Sequence, residues 1–171
     1  MPARITVYCR DADVRPDPAA MLRELRDADL MTLAEVLDLP EGEEAAVEAM
    51  WPHLRIDRAG DTVEVHWRPG GRPIQLDAVH GEEAAAYRTA LLEEELPPAD
   101  GPGARRVVAH LREVRSIVFL EMGLADSNHL AATIGEVLAF HLAEAGDGLV
   151  WFYHRDWAAP DARATTLWTT A

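Results

Sequence analysis

The stretch SIVFLEMGLADSNHLAATIGEVLAFHLAEAGDGLVWFYH, residues 116–154, contains the clearest secondary-structure pattern of this chain. Residues 116–122 are apolar at nearly every position, which predicts that the strand at 115–122 is central and covered on both faces. Residues 127–145 then carry apolar side chains at helical spacing, and residues 148–154 form a second apolar run. Strand, helix and strand in this order predict a crossover unit, which is right-handed if its two strands lie parallel in one sheet.

The chain before this unit alternates between strand patterns and helix patterns. Asp17 followed by Pro18 predicts a helix N-cap with proline at the first helical position, and Thr32 and Glu35 have the spacing of a capping box for a further helix. We predict strands at 4–10, 54–58, 62–68 and 74–79, and helices at 18–28, 43–51, 82–96 and 104–112.

These elements predict an α+β fold, with an open mixed or antiparallel sheet of about five to seven strands and helices packed mainly on one face. The segment PPADGPG, residues 97–103, predicts a linker between two halves, 1–96 and 104–157, of one domain spanning 1–171. An Ala/Thr-rich tail follows at 158–171. The turn AGD precedes the strands at 62 and 149, which leaves open whether the halves are related.

Composition narrows the class of protein. A length of 171 residues with 49% hydrophobic residues is enough for one compact core. No apolar run is long enough to cross a bilayer, and the start MPARITVYCRDAD does not resemble a signal peptide, so we expect a cytoplasmic protein. The single Cys9 cannot form an intramolecular disulfide, and its apolar surroundings predict a buried side chain. All sixteen basic residues are arginine, which excludes lysine Schiff-base chemistry and fits a GC-rich bacterial genome.

The charge of the chain is strongly negative and unevenly distributed. The net charge is −14, and residues 1–100 hold 22 acidic residues against 10 arginines, whereas residues 101–171 hold 8 against 6. A negative field repels the phosphates of nucleic acids and anionic lipids, so we expect neither as a partner. A basic protein partner fits this charge distribution.

The polar residues after the central strand have two interpretations. Glu121, Asp126 and His129 are candidate catalytic residues, because a carboxylate among apolar neighbours can serve as a general acid or base and histidine can carry a proton. Alternatively, Asp126, Ser127 and Asn128 are residue types that cap a helix N-terminus. The second interpretation leaves only Glu121 and His129 unexplained.

Glu64 and His66 are the candidate metal ligands. They lie two residues apart on one predicted strand, which places both side chains on the same face, and imidazole with carboxylate suits zinc or a similar ion. The sequence specifies no third ligand. An exposed polar face of the hairpin, paired across to the arginines of LRIDR, explains the same residues.

Two further segments suit an interaction surface. The segment WFYHRDW, residues 151–157, places Trp151, Tyr153 and Trp157 in or next to a strand, where they either pack in the core or contact a ligand or a second subunit as a homodimer. Three acidic residues, Glu93, Glu94 and Glu95, gather near a helix C-terminus, where the helix dipole disfavours negative charge. They are either a solvated charge run or part of an acidic docking face.

The sequence thus predicts a non-catalytic acidic interaction domain that binds a basic protein partner, in an inhibitor, immunity-like or adaptor role. It contains no glycine-rich phosphate loop, dinucleotide fingerprint or nucleophile elbow, so we expect no cofactor. The alternative is a small metal-assisted or carboxylate/histidine hydrolase centred on Glu121, Asp126 and His129.

Overall fold

The computed structural model describes residues 3–28, 30, 43–123, 129–163 and 165–170 of the chain. Within these residues there are eight strands, at β1 Ala3–Cys9, β2 Arg55–Ala59, β3 Thr62–His66, β4 Ile74–His80, β5 Ser116–Met122, β6 Gly148–Phe152, β7 Asp156–Ala158 and β8 Thr166–Thr169. The α-helices are α1 Pro18–Asp27, α2 Glu43–Met50, α3 Gly81–Ala90, α4 Pro102–Leu111 and α5 His129–Ala145. A π-helical turn, Leu91–Glu95, extends α3, and a 3-10 turn, Pro160–Ala162, lies between β7 and β8.

The strands form one open antiparallel sheet in the order β2-β3-β4-β5-β1-β6-β7-β8. The predicted α+β class with an antiparallel sheet is confirmed, with eight strands where five to seven were expected. Residues 158–171, which the sequence assigns to a tail, contribute β8 at the sheet edge. The strand predicted to continue to residue 154 ends at Phe152, because Tyr153 and His154 adopt positive φ angles of 52° and 59° and turn the chain towards β7.

The predicted crossover is split by a third strand. Strands β5 and β6 each pair antiparallel with β1, one on each side, so they run parallel to each other with β1 between them. Helix α5 connects them and packs on β1. The N-terminal strand is therefore at the centre of the unit formed by residues 116–154.

The helices cover both faces of the sheet, with three of the five described helices on one face and two on the other. Helices α1, α2 and α5 bury one cluster, which includes Ile5, Val65 and Leu120, and helices α3 and α4 bury a second, which includes Tyr8 and Ile117. The central strands β1 and β5 are largely buried on both sides, because helices cover each face.

Local signals for helix boundaries are confirmed where the structure describes them. The carboxylate of Asp17 accepts a hydrogen bond from the backbone N–H of Ala20 at 2.7 Å, and Pro18 takes the first helical position. The capping box at Thr32 and Glu35 lies outside the described residues.

Gly135 allows helix α5 to lie directly on the sheet. A β-carbon at this position would lie 3.1 Å from Cδ1 of Ile5 and 3.5 Å from Sδ of Met122. Glycine in a helix interior costs about 1 kcal/mol relative to alanine. The close contact of α5 with β1 and β5 is the physical reason for a glycine at this position in the helix.

The substitution Gly135→Leu should lower the free energy of unfolding by about 1–3 kcal/mol, because a larger side chain must push α5 off β1. The control is Ala145→Leu, at an exposed position of the same helix, which should change it by less than about 0.5 kcal/mol. Urea denaturation measures both values. A Gly135→Leu variant as stable as the wild type would show that α5 does not pack as closely as described.

Candidate functional site

Five polar residues form a row across the sheet, one from each of five neighbouring strands. In order along the row they are Asp57, Glu64, Gln75, Glu121 and Arg4. Residues in register on neighbouring strands project to the same face of a sheet. We call this set the acidic row, since it contains three carboxylates and one guanidinium group.

The acidic row includes a pair of like charges directly opposite each other. Asp57 of β2 lies across from Glu64 of β3, an arrangement that destabilises an antiparallel pair. The guanidinium of Arg55 partly offsets the repulsion, since its Nε lies 3.0 Å from Asp57 Oδ2. The ring of His66 lies beside Glu64, with Nε2 3.4 Å from Glu64 Oε2. Gln75 donates a hydrogen bond to Glu64 Oε1 at 3.3 Å. The side chain of Asp57 is 57% exposed and that of Glu64 is 25% exposed, so the Asp57 end of the row is the part most open to a partner.

The two candidate metal ligands, Glu64 and His66, do lie together. Asp57 Oδ2 is 4.0 Å from His66 Nε2, so a second carboxylate is close. In the part of the chain that the structure describes, however, no group of three histidine, cysteine, aspartate or glutamate side chains is arranged to hold a metal ion. Both side chains lie on the polar face of the hairpin, where Arg55 is opposite His66, but Asp57 and not an arginine is opposite Glu64.

Glu121, the candidate general acid or base, is paired with an arginine. Arg4 Nε donates to Glu121 Oε1 at 3.0 Å, and Arg4 Nη2 makes a second contact with the same oxygen. The Arg4 guanidinium also lies over the ring of Phe119, 5.1 Å from its centre. Asp126 lies outside the described residues, and so does the side chain of His129. The hydrolase centred on these three residues therefore stays a prediction, with Glu121 in an ion pair.

An exposed aromatic ring and the three glutamates belong to the same side of the sheet. Tyr87 on α3 is 48% exposed, and its ring meets that of Phe119 edge-on at 5.2 Å. Glu93, Glu94 and Glu95 are all exposed on the π-helical turn that follows α3. Leu91, in the same turn, is buried in the cluster beneath α3 and α4 and anchors it.

The aromatic residues of the predicted interaction strand differ in exposure. Trp151 and Trp157 are 5% and 0% exposed, and their rings stack 5.1 Å apart in the second core cluster. Tyr153 is 42% exposed, because it follows the end of β6. Partial burial and the nearby Glu136 raise its pKa to about 12, so the hydroxyl group is neutral near pH 7.

Comparison with known proteins finds no family model, no curated protein and no solved structure that matches the chain. None of the helices in the described residues has the length and apolar character needed to cross a membrane.

Sequence reasoning missed Arg4, Asp57 and Gln75 as members of the acidic row. Period-two alternation places Glu64 and His66 on one face, but only the strand register reveals what lies opposite. A weak signal for Asp57 exists in the sequence. Arg55 and Asp57 lie on either side of Ile56 in the predicted partner strand of the hairpin, which places both on its polar face.

Cys9, the nucleophile with the strongest intrinsic reactivity, is inert in the folded state. It is 0% exposed, and burial, together with the charges of Asp11 and Asp147, raises the pKa of its thiol to about 12. The thiolate is the reactive form, so its fraction at neutral pH is very small.

A thiol reagent such as Ellman's reagent at pH 8 should label Cys9 only as fast as the protein unfolds. In denaturant, labelling should be complete within the mixing time, because the thiol then recovers its ordinary pKa. Comparison of the two rates by absorbance provides the measurement. Fast, stoichiometric labelling of the native protein would contradict the burial of Cys9.

Proposed function

We propose that the protein is a non-catalytic interaction domain that binds a basic protein partner through the acidic row. The observation that carries the proposal is the opposition of Asp57 and Glu64 on an open face of the sheet. A local rule that is broken without a structural gain is expected at a functional site. Arg55 offsets the charge of Asp57 only in part, so a cationic partner would add countercharge between the two carboxylates and relieve the remaining repulsion.

The net negative charge of the whole chain supports a partner with a positive charge. A net charge of −14 attracts a basic protein at long range and raises its association rate at low ionic strength. The acidic row and the glutamates at 93–95 then add local charges, and Tyr87 adds an exposed aromatic ring of the kind enriched at interfaces. An inhibitor, immunity-like or adaptor role fits such a surface.

We do not propose a homodimer through the aromatic segment at residues 151–157. Strand β6 pairs with β1 on one side and β7 on the other, so it presents no free edge. Trp151 and Trp157 are buried within one chain, and only Tyr153 remains for contact with a second copy.

A fluorescein-labelled oligoarginine peptide provides a probe for the basic surface of a partner. The double substitution Asp57→Asn with Glu64→Gln should weaken its binding about fivefold, the loss of roughly 1 kcal/mol expected for two partly exposed charges. Fluorescence anisotropy measures the affinity at several salt concentrations. The affinity of the wild type should fall as ionic strength rises.

The matched control is the double substitution Asp27→Asn with Glu48→Gln, which changes the net charge equally. Both residues are exposed, on helices α1 and α2 of the opposite face. This control should weaken binding less than about twofold. Equal losses in the two variants would show that the peptide responds to net charge alone and would contradict a role for the acidic row, as would binding that does not depend on salt.

A further inference from the structure

A cavity lined by arginines lies at the end of the sheet where β1 ends and β5 begins. Its volume is about 580 Å³, and its lining residues are Arg10, Asp11, Arg88, Arg112, Glu113 and Arg115. The lining holds four guanidinium groups and two carboxylates, and Asp147 lies against Arg10, so the local excess is one positive charge. In a chain with a net charge of −14, this cavity is a local region of the opposite sign.

Three separate parts of the fold bring these arginines together. Arg10 follows β1, and the backbone N–H of Arg115 donates to the carbonyl of Cys9 at 2.9 Å, which joins the start of β5 to the end of β1. Arg88 reaches across from α3, where its Nη1 donates to the carbonyls of Arg112 at 3.3 Å and Val114 at 3.1 Å. The segment between α4 and β5 is thereby fixed against α3.

Two of the arginines are available to a ligand. Arg10 is already paired, with Glu113 Oε2 at 2.9 Å and Asp147 Oδ2 at 3.3 Å. The side chains of Arg112 and Arg115 are exposed and make no ion pair with any residue in the described ranges. The chain has 30 acidic residues, yet these two guanidinium groups have no carboxylate partner among the described ones.

We propose that this cavity binds a small phosphomonoester, with Arg112 and Arg115 contacting the phosphate group. The guanidinium fork matches the geometry of phosphate oxygens and binds them bidentately. A phosphomonoester carries a charge of about −1.5 to −2 near pH 7, which matches the two guanidinium groups of Arg112 and Arg115 that have no carboxylate partner among the described residues, whereas a monocarboxylate matches one. The volume leaves room for the organic part of the ester, because small-molecule sites commonly measure about 300–1,000 Å³.

Isothermal titration calorimetry at fixed ionic strength tests this site, with glycerol phosphate, inorganic phosphate and succinate as probes. Glycerol phosphate should bind saturably with one site per chain. The double substitution Arg112→Gln with Arg115→Gln should weaken that binding at least about tenfold, because each charge-assisted hydrogen bond contributes roughly a factor of ten. The control substitution, Arg23→Gln with Arg26→Gln, alters two exposed arginines of α1 and should leave binding unchanged.

Thermal unfolding of each variant establishes that it is folded before titration, and the pair Arg112→Lys with Arg115→Lys provides a second, charge-conserving test. The lysine variant keeps both positive charges but loses the guanidinium forks, so it should weaken glycerol phosphate binding by a smaller factor than the glutamine variant. No saturable binding of glycerol phosphate, an equal loss in the α1 control, or equally tight binding of succinate would overturn the proposal. Binding of inorganic phosphate without the ester would overturn the assignment to a phosphomonoester.

Discussion

The pairing of β1 with β5 on one side and β6 on the other is the interaction on which the rest of the structure depends. Strands β2 to β4 join the sheet only through β5, and β7 and β8 join it only through β6. Strand β1 lies between these two groups, so it connects them. The same strand positions both surfaces to which we assign a function, because Arg4 near its start belongs to the acidic row and Arg10 after its end lines the arginine cavity.

The sequence predicts those features that depend on neighbouring residues. The apolar run at 116–122 predicts a buried central strand, the alternation at 4–10 predicts another, and Asp17 with Pro18 predicts the start of a helix. The order of the strands does not follow from local patterns, because β1 pairs with strands more than a hundred residues away. The cover of both faces is equally non-local, since an apolar stripe on a helix indicates that the helix packs on a sheet but not on which face.

The candidate sites also contain some features that the sequence predicts and others that require the fold. Glu64 and His66 are neighbours because strand side chains repeat every two residues, which the sequence shows. The position of Asp57 opposite Glu64 requires the hairpin register, and the pairing of Glu121 with Arg4 requires the contact between β1 and β5. The arginine cavity draws on residues 10, 88, 112 and 115, whose spacing in sequence forms no motif. Surfaces assembled from distant segments are visible only after the fold is known.

Hydrogen exchange of the backbone amides, followed by NMR, tests the central position of β1 most directly. Amides that exchange only by global unfolding report the full free energy of unfolding, whereas amides at edges and ends open locally. If β1 holds the sheet together, the amides of Val7 and Tyr8 should exchange as slowly as that of Val118 in β5 and far more slowly than those of β2. Exchange in β1 as fast as in β2 would contradict the account.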